Sequence, residues 1–86
     1  MKECTHVSAL PQPEPEPLSR TCLGCLAAGT NPVQLRICLD CGHVGCCDSS
    51  PLRHATGHYE ETGHPVMRTF EPGERWRWCF VDCVLV

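Results

Sequence analysis

Two residues separate Cys22 from Cys25, and two separate Cys38 from Cys41. A CxxC pair can turn back on itself and present both sulfurs to one tetrahedral ion at about 2.3 Å, so each pair supplies half of a metal site. The second pair opens the run CLDCGHVGCC at 38–47, which holds four sulfurs and an imidazole. Further on, His54 and His58 are spaced to leave one face of a helix a turn apart, and His64 follows them. Near the two ends stand Cys4-Thr-His6 and Trp78-Cys-Phe-Val-Asp-Cys83, the latter offering Cys79 with either Asp82 or Cys83. Three four-coordinate sites need twelve ligands. Cys4, His6, Cys22, Cys25, Cys38, Cys41, Cys46, His54, His58, His64 and Cys79 supply eleven, and Asp82 or Cys83 completes them. The spacing alone also lets the two CxxC pairs close a single four-sulfur site, but that leaves the three later histidines idle.

Metal ligation competes with disulfide formation for the same sulfurs. The N-terminal MKECTHVSALPQPEPEP has no apolar stretch of the kind an export signal needs, and no apolar run approaches the ~18 residues of a spanning helix. The expected location is therefore the reducing cytoplasm, with no membrane partner, where paired cysteines serve metals or redox chemistry before disulfides. An odd count of nine cysteines also leaves one without a mate. Leu, Ile, Val and Phe number only 18 of 86 residues, close to the ~20% below which chains tend not to hold a core. Bound metal is the expected supplement. The net charge of −3 argues against a protein that tracks phosphates, which needs a basic excess.

The positioning elements follow from local chemistry. Pro11-Gln-Pro-Glu-Pro-Glu-Pro17 has proline at alternate positions, so it predicts an extended spacer that keeps Cys4 and His6 tethered to the rest. Val33–Ile37 alternates apolar and polar residues and predicts a strand leading into the Cys38/Cys41 turn. Residues 49–63 predict one helix, with Ser50 as its cap, Pro51 in its first turn and Gly63 as its stop. Pro65–Phe70 and Trp76–Val81 predict two strands joined by the turn Glu71-Pro-Gly-Glu74. On a strand, Arg75-Trp-Arg-Trp78 puts Trp76 and Trp78 on one face and the arginines on the other. The expected fold is α+β over residues 1–86 as one domain, with one main helix packed on a small, mostly antiparallel sheet.

The motifs CTH at 4–6, CLGC at 22–25, CLDCGHVGCCDSSPLRHATGH at 38–58, TGHP at 62–65 and EPGERWRWCFVDC at 71–83, in this order, resemble the UBP-type zinc finger. This is the ubiquitin-binding finger that accompanies ubiquitin-specific proteases and the cytoplasmic ubiquitin-binding histone deacetylase, and the chain looks most like its short free-standing bacterial members. The resemblance implies two to three Zn2+ ions held by interleaved ligands. The first falls on Cys22, Cys25, Cys46 and His54, with Cys47 as the alternative to Cys46. The second falls on Cys38, Cys41, His58 and His64. A third, found in the larger members, falls on Cys4, His6, Cys79 and Asp82, with Cys83 as the alternative to Asp82. Such sites, closed by four protein ligands, imply a finger and not an enzyme.

The resemblance also implies a pocket for the free C-terminal Gly-Gly of ubiquitin, lined by an arginine just after the third zinc cysteine and by aromatics. Here Cys47 and Asp48 occupy the arginine's place, Arg36 stands where the first tryptophan is expected, Trp78 is kept, and Phe80 stands where tyrosine is common. Replacing that cation by an acid removes a charge-assisted hydrogen bond worth roughly 1.5–3 kcal/mol, which counts against ubiquitin as the partner. The reading that remains is a protein or peptide partner, such as a C-terminal tail, bound at Arg36, Trp78 and Phe80. Two other functions use the same residues. Cys47 beside a zinc thiolate suits a redox-responsive thiol protein, and the RWRW strand suits single-stranded nucleic acid, against which the acidity weighs.

Overall fold

Four strands of the computed structural model, which describes residues 4–86, each contribute a buried side chain to the core, namely Ile37, Val44, Val66 and Cys79. These are β1 (Leu35–Cys38), β2 (Val44–Cys46), β3 (Val66–Thr69) and β4 (Arg77–Cys79), and a fifth, β5 (Val84–Leu85), follows. They pair antiparallel throughout, in the order β2-β1-β3-β4-β5. Three short helices complete the fold: α1 (Thr5–Ser8), α2 (Leu23–Ala28) and α3 (His54–Thr62). The expected α+β layout is what the chain adopts.

The β3–β4 hairpin turns at Glu71–Glu74, where Gly73 takes φ 83° and the Glu74 N–H donates to the Glu71 carbonyl at 3.3 Å. Proline followed by a glycine at positive φ is what a type II turn requires. Val66 lies opposite Cys79, Met67 opposite Trp78, and Arg68 opposite Arg77. On the core side, Ile37, Leu39, Val44, Val66 and Cys79 form one buried cluster. Of the eleven buried apolar residues, six are cysteines, leaving Ile37, Leu39, Val44, Ala55 and Val66 as the carbon core. β5 was outside the expected elements. After Cys79 the chain turns back through Cys83 at φ 55°, whose N–H donates to the Cys79 carbonyl at 2.8 Å, and this sets Val84 opposite Cys79 and Leu85 opposite Trp78.

The main helix starts later than the sequence predicts. Ser50 does not cap it: its side chain is buried and its Oγ accepts the Val33 N–H at 2.8 Å, while its own N–H donates to the Cys47 carbonyl at 3.0 Å. Those bonds fold residues 47–50 into a turn, and Arg53, at φ 47°, resets the chain so that α3 begins at His54. Its end is as expected, with Gly63 at φ 74° donating to the Tyr59 carbonyl at 2.7 Å. α3 lies across β2 at Gly45, where an added Cβ would stand 2.7 Å from the Ala55 backbone nitrogen. The Gly45→Ala protein is therefore expected to lose about 1–3 kcal/mol of stability through overpacking, read as a lower urea midpoint with an unchanged slope.

The N-terminal segment forms a strap over the sheet. Cys4 and Leu10 pack against the core cluster, Glu14 Oε1 sits 3.2 Å from Arg68 Nε, and the Leu18 N–H donates to the Gly42 carbonyl at 2.9 Å. Gly42, at φ 85°, has no room for a side chain, since a Cβ there would strike the Glu16 carbonyl. The proline-rich spacer is thus anchored at both ends, as its composition predicts. Among the described residues, no helix is long and apolar enough to cross a membrane.

Candidate metal centres and an adjoining groove

α2 starts at Leu23 with Cys22 as its N-cap, and the Leu26 N–H donates to the Cys22 carbonyl at 3.1 Å, so Cys22 and Cys25 share one helical turn. This turn meets the end of β2 and the start of α3. There Cys22, Cys25 and Cys46 surround His54 Nδ1, at 3.2, 3.4 and 3.5 Å from their sulfurs. Donors lying 2.0–2.3 Å from a tetrahedral ion are about 3.5 Å from one another, so these spacings are the edges of such a tetrahedron. All three sulfurs are buried. The His54 backbone N–H, at the free N-terminus of α3, donates to Cys46 Sγ at 3.0 Å, which favours a thiolate there. Gly24 leaves space for the imidazole: a Cβ would stand 2.8 Å from His54 Nε2.

A second group forms where the turn after β1 meets the far half of α3. His64 Nδ1 stands 3.5 Å from Cys38 Sγ, and His58 Nε2 stands 3.3 Å from Cys41 Sγ. His54 and His58 therefore leave α3 one turn apart and serve different groups. Burial pushes the Cys38 thiol up to about 11, so at neutral pH its sulfur keeps a proton unless a cation takes the proton's place. His43 belongs to neither group. Its ring stacks on that of His58, centroids 4.1 Å apart and planes at 3°, which fixes the orientation of the His58 imidazole. Burial lowers the basicity of both rings, and their imidazole neighbours lower it further, favouring the neutral form that binds metal.

The third group joins the two ends of the described chain. His6 Nδ1 lies 3.5 Å from Cys4 Sγ, 3.5 Å from Cys79 Sγ and 3.0 Å from Asp82 Oδ2. Hydrogen bonds from Cys4 and His6 hold the Asp82 carboxyl below its ordinary range. In each of the three groups the candidate ligand atoms lie within 4.8 Å of one another. All nine cysteines are free of disulfide bonds. Each group could hold a metal ion, and four donors drawn from cysteine sulfur, histidine nitrogen and, in the third group, a carboxylate oxygen suit Zn2+. Cys46 joins the first group, whereas Cys47 Sγ turns to Ser50 Oγ at 3.5 Å. Asp82 joins the third, whereas Cys83 is exposed, with its thiol 3.4 Å from the Phe80 carbonyl oxygen.

An open groove of about 660 Å³ is lined by Arg36, Met67, Trp76, Trp78, Phe80 and Leu85, together with Cys47 and Asp48. Arg36 is 8% exposed. Its guanidinium donates to the Leu35 carbonyl at 3.0 Å, to Gln34 Oε1 at 3.0 Å and to Thr69 Oγ1 at 3.4 Å, and it lies 4.5 Å from the Trp76 ring centroid. No carboxylate pairs with it among the described residues. Phe80 is held by stacking on Tyr59 of α3, centroids 4.7 Å apart, and the Asp48 carboxylate accepts from the Thr56 hydroxyl. Arg36, Trp78 and Phe80 thus meet in one place. Trp76, Met67 and Leu85 join them: the RWRW alternation signals Trp76 and the hairpin register signals Met67, but nothing local signals Leu85, because β5 is too short to show a period.

The family model described as the Zn-finger in ubiquitin-hydrolases and other protein matches residues 21–84. Among solved structures, the chain is similar to a Rhodopseudomonas palustris protein determined by solution NMR. The two are 46% identical with a TM-score of 0.86, over 99% of this chain and 81% of that one. No curated protein matches the sequence.

Proposed function

Because the chain belongs to the family of zinc fingers found in ubiquitin hydrolases and other proteins, we propose that it is a non-catalytic recognition module that binds the carboxyl end of a protein or peptide partner. The ions hold the scaffold and the groove does the binding. The observation that carries this reading is Arg36, a buried guanidinium with no carboxylate partner among the described residues, set in the wall of an aromatic groove. Burying a charge without a counter-charge costs several kcal/mol, and an arriving carboxylate offsets that cost with a charge-assisted hydrogen bond. Trp76, Trp78 and Phe80 supply the apolar area that a peptide needs beside it. Metal groups closed by four protein donors leave no position for a reacting water, which supports binding over catalysis. Arg36 already covers one face of Trp76, and that disfavours base stacking and hence the nucleic-acid reading.

The test is a titration of the zinc-loaded protein with a hexapeptide library bearing free carboxyl termini, against the same library amidated, followed at the two tryptophan indole signals. The free acids are expected to shift both signals and the amides to leave them in place. Arg36→Gln is expected to weaken the acids at least tenfold, from the roughly 1.5–3 kcal/mol of one charged hydrogen bond. Equal binding of acids and amides would remove the reading. Ubiquitin, and ubiquitin without its terminal Gly-Gly, enter the same titration. Cys47 and Asp48 stand where the resemblance expects the arginine that fits the ubiquitin tail, so a terminus with that particular fit is not favoured over other free acids, and negligible shifts are expected for both.

A further inference from the structure

We propose that the Cys4, His6, Cys79 and Asp82 group is an exchangeable clip: its ion leaves and returns while the other two groups keep theirs, and residues 4–10 open and close over the sheet with it. The three groups differ in donors and in burial. The first has three buried thiolates and an imidazole, and the second two thiolates and two imidazoles. The third has a carboxylate oxygen as its fourth donor, and its His6 and Asp82 side chains are 32% and 30% exposed. Oxygen is a poorer partner than thiolate for zinc, and exposed ligands admit water or a competing chelator. The least tightly held ion therefore lies at the group that fastens the strap.

The strap itself is built to move at one end only. α1 has no buried residue, and the Leu10 N–H bonds locally, to the Val7 carbonyl, and not to a strand. Besides the clip, residues 4–10 are held by the packing of Cys4 and Leu10 on the core cluster. The far end has anchors that need no metal: Glu14 on Arg68, and Leu18 on Gly42. The prolines between them restrict the intervening backbone, so release of the ion frees residues 4–10 while residues 14–18 stay in place. Opening uncovers Cys79 and the neighbouring core edge. Cys4 and His6 also lie outside the family match, which begins at residue 21. This inference rests on the metal role of the three groups, but not on what the groove binds.

The experiment adds the chelator 4-(2-pyridylazo)resorcinol stepwise to the zinc-loaded protein while native mass spectrometry counts ions and amide NMR follows the backbone. The expected first step is from three ions to two, with the Val7 and Leu10 amides shifting and the Ile37 and Val66 amides unmoved, and added zinc reverses it. In Asp82→Cys, a thiolate replaces the oxygen donor, and loss of the first ion is expected to slow at least tenfold. Three ions leaving together, a first loss that moves Ile37 or Val66, or an Asp82→Cys protein that loses its ion at the wild-type rate would each overturn the clip. A protein that binds no zinc at all would overturn the metal reading with it, a result the ion count distinguishes from the others.

Discussion

Stripped of metal by excess EDTA at neutral pH, the chain is expected to lose its far-ultraviolet circular dichroism and to regain it when zinc is returned. The carbon core consists of Ile37, Leu39, Val44, Ala55 and Val66, too few aliphatic side chains to order a chain of 86 residues. The other buried apolar groups are sulfurs, and most of these belong to the three ligand groups. Each structural zinc site supplies on the order of 10 kcal/mol of apparent binding energy, which is folding energy when the unfolded chain has no site. Without a cation, Cys38 stays protonated, because burial pushes its thiol up to about 11. Acid acts in the same direction. Burial, with His43 and His64 nearby, holds His58 below its ordinary value. The folded state therefore resists protonating it, and the stability this contributes is complete above about 6.5 and is lost as the pH falls toward the folded value. Protons also displace metal from both histidine and cysteine, so metal loss and unfolding are expected together on the acid side. A chelated chain that kept its helical and sheet signals would show that zinc is not what holds the fold.

Much of this was legible because the ligands carry their own spacing. Both CxxC pairs, the i, i+4 histidines and the turn at Pro72-Gly73 are local patterns, and each forms the unit that local chemistry predicts. The start of α3 was not legible. Ser50 looks like a cap, but Val33, seventeen positions earlier, takes its hydroxyl, and no local rule contains that partner. α2 escaped for a different reason. Its Leu23 and Leu26 are exposed, so the helix lacks the apolar face by which a helix is read from sequence. β5 has two residues and exists only because Cys83 adopts a left-handed turn, which a cysteine does not announce. The groove was legible at Arg36, Trp78 and Phe80 only through the resemblance, and its local pattern did not show it. Arg36 reads as the polar member of an alternating strand, and only the pairing of β1 with β3 brings it to Thr69 and beside Trp76.

The adjacent pair Cys46 and Cys47 offers the sharpest contrast between a candidate ligand and its neighbour. Cys46→Ser is expected to remove one ion from the native mass and to destabilise the chain severely, to the point of aggregation or insolubility at ordinary expression temperature. Its sulfur is fully buried, lies 3.5 Å from His54 Nδ1 and receives the His54 backbone N–H at 3.0 Å. Replacing it with a hydroxyl leaves two thiolates and an imidazole around a buried space, and puts the roughly 10 kcal/mol of that site at risk. Cys47→Ser is expected to keep every ion and to change stability by about 1 kcal/mol or less, since the side-chain hydrogen bond of Cys47 is to Ser50 Oγ, which a serine hydroxyl can also make. The same contrast bears on a redox role. Cys47 is 6% exposed and lines the groove rather than a metal group, so zinc release by mild peroxide is expected to proceed equally in Cys47→Ser and in the parent. An ion lost from Cys47→Ser and kept by Cys46→Ser would reverse the ligand assignment. It would require the end of β2 to turn over, carrying the Asp48 side chain away from the groove.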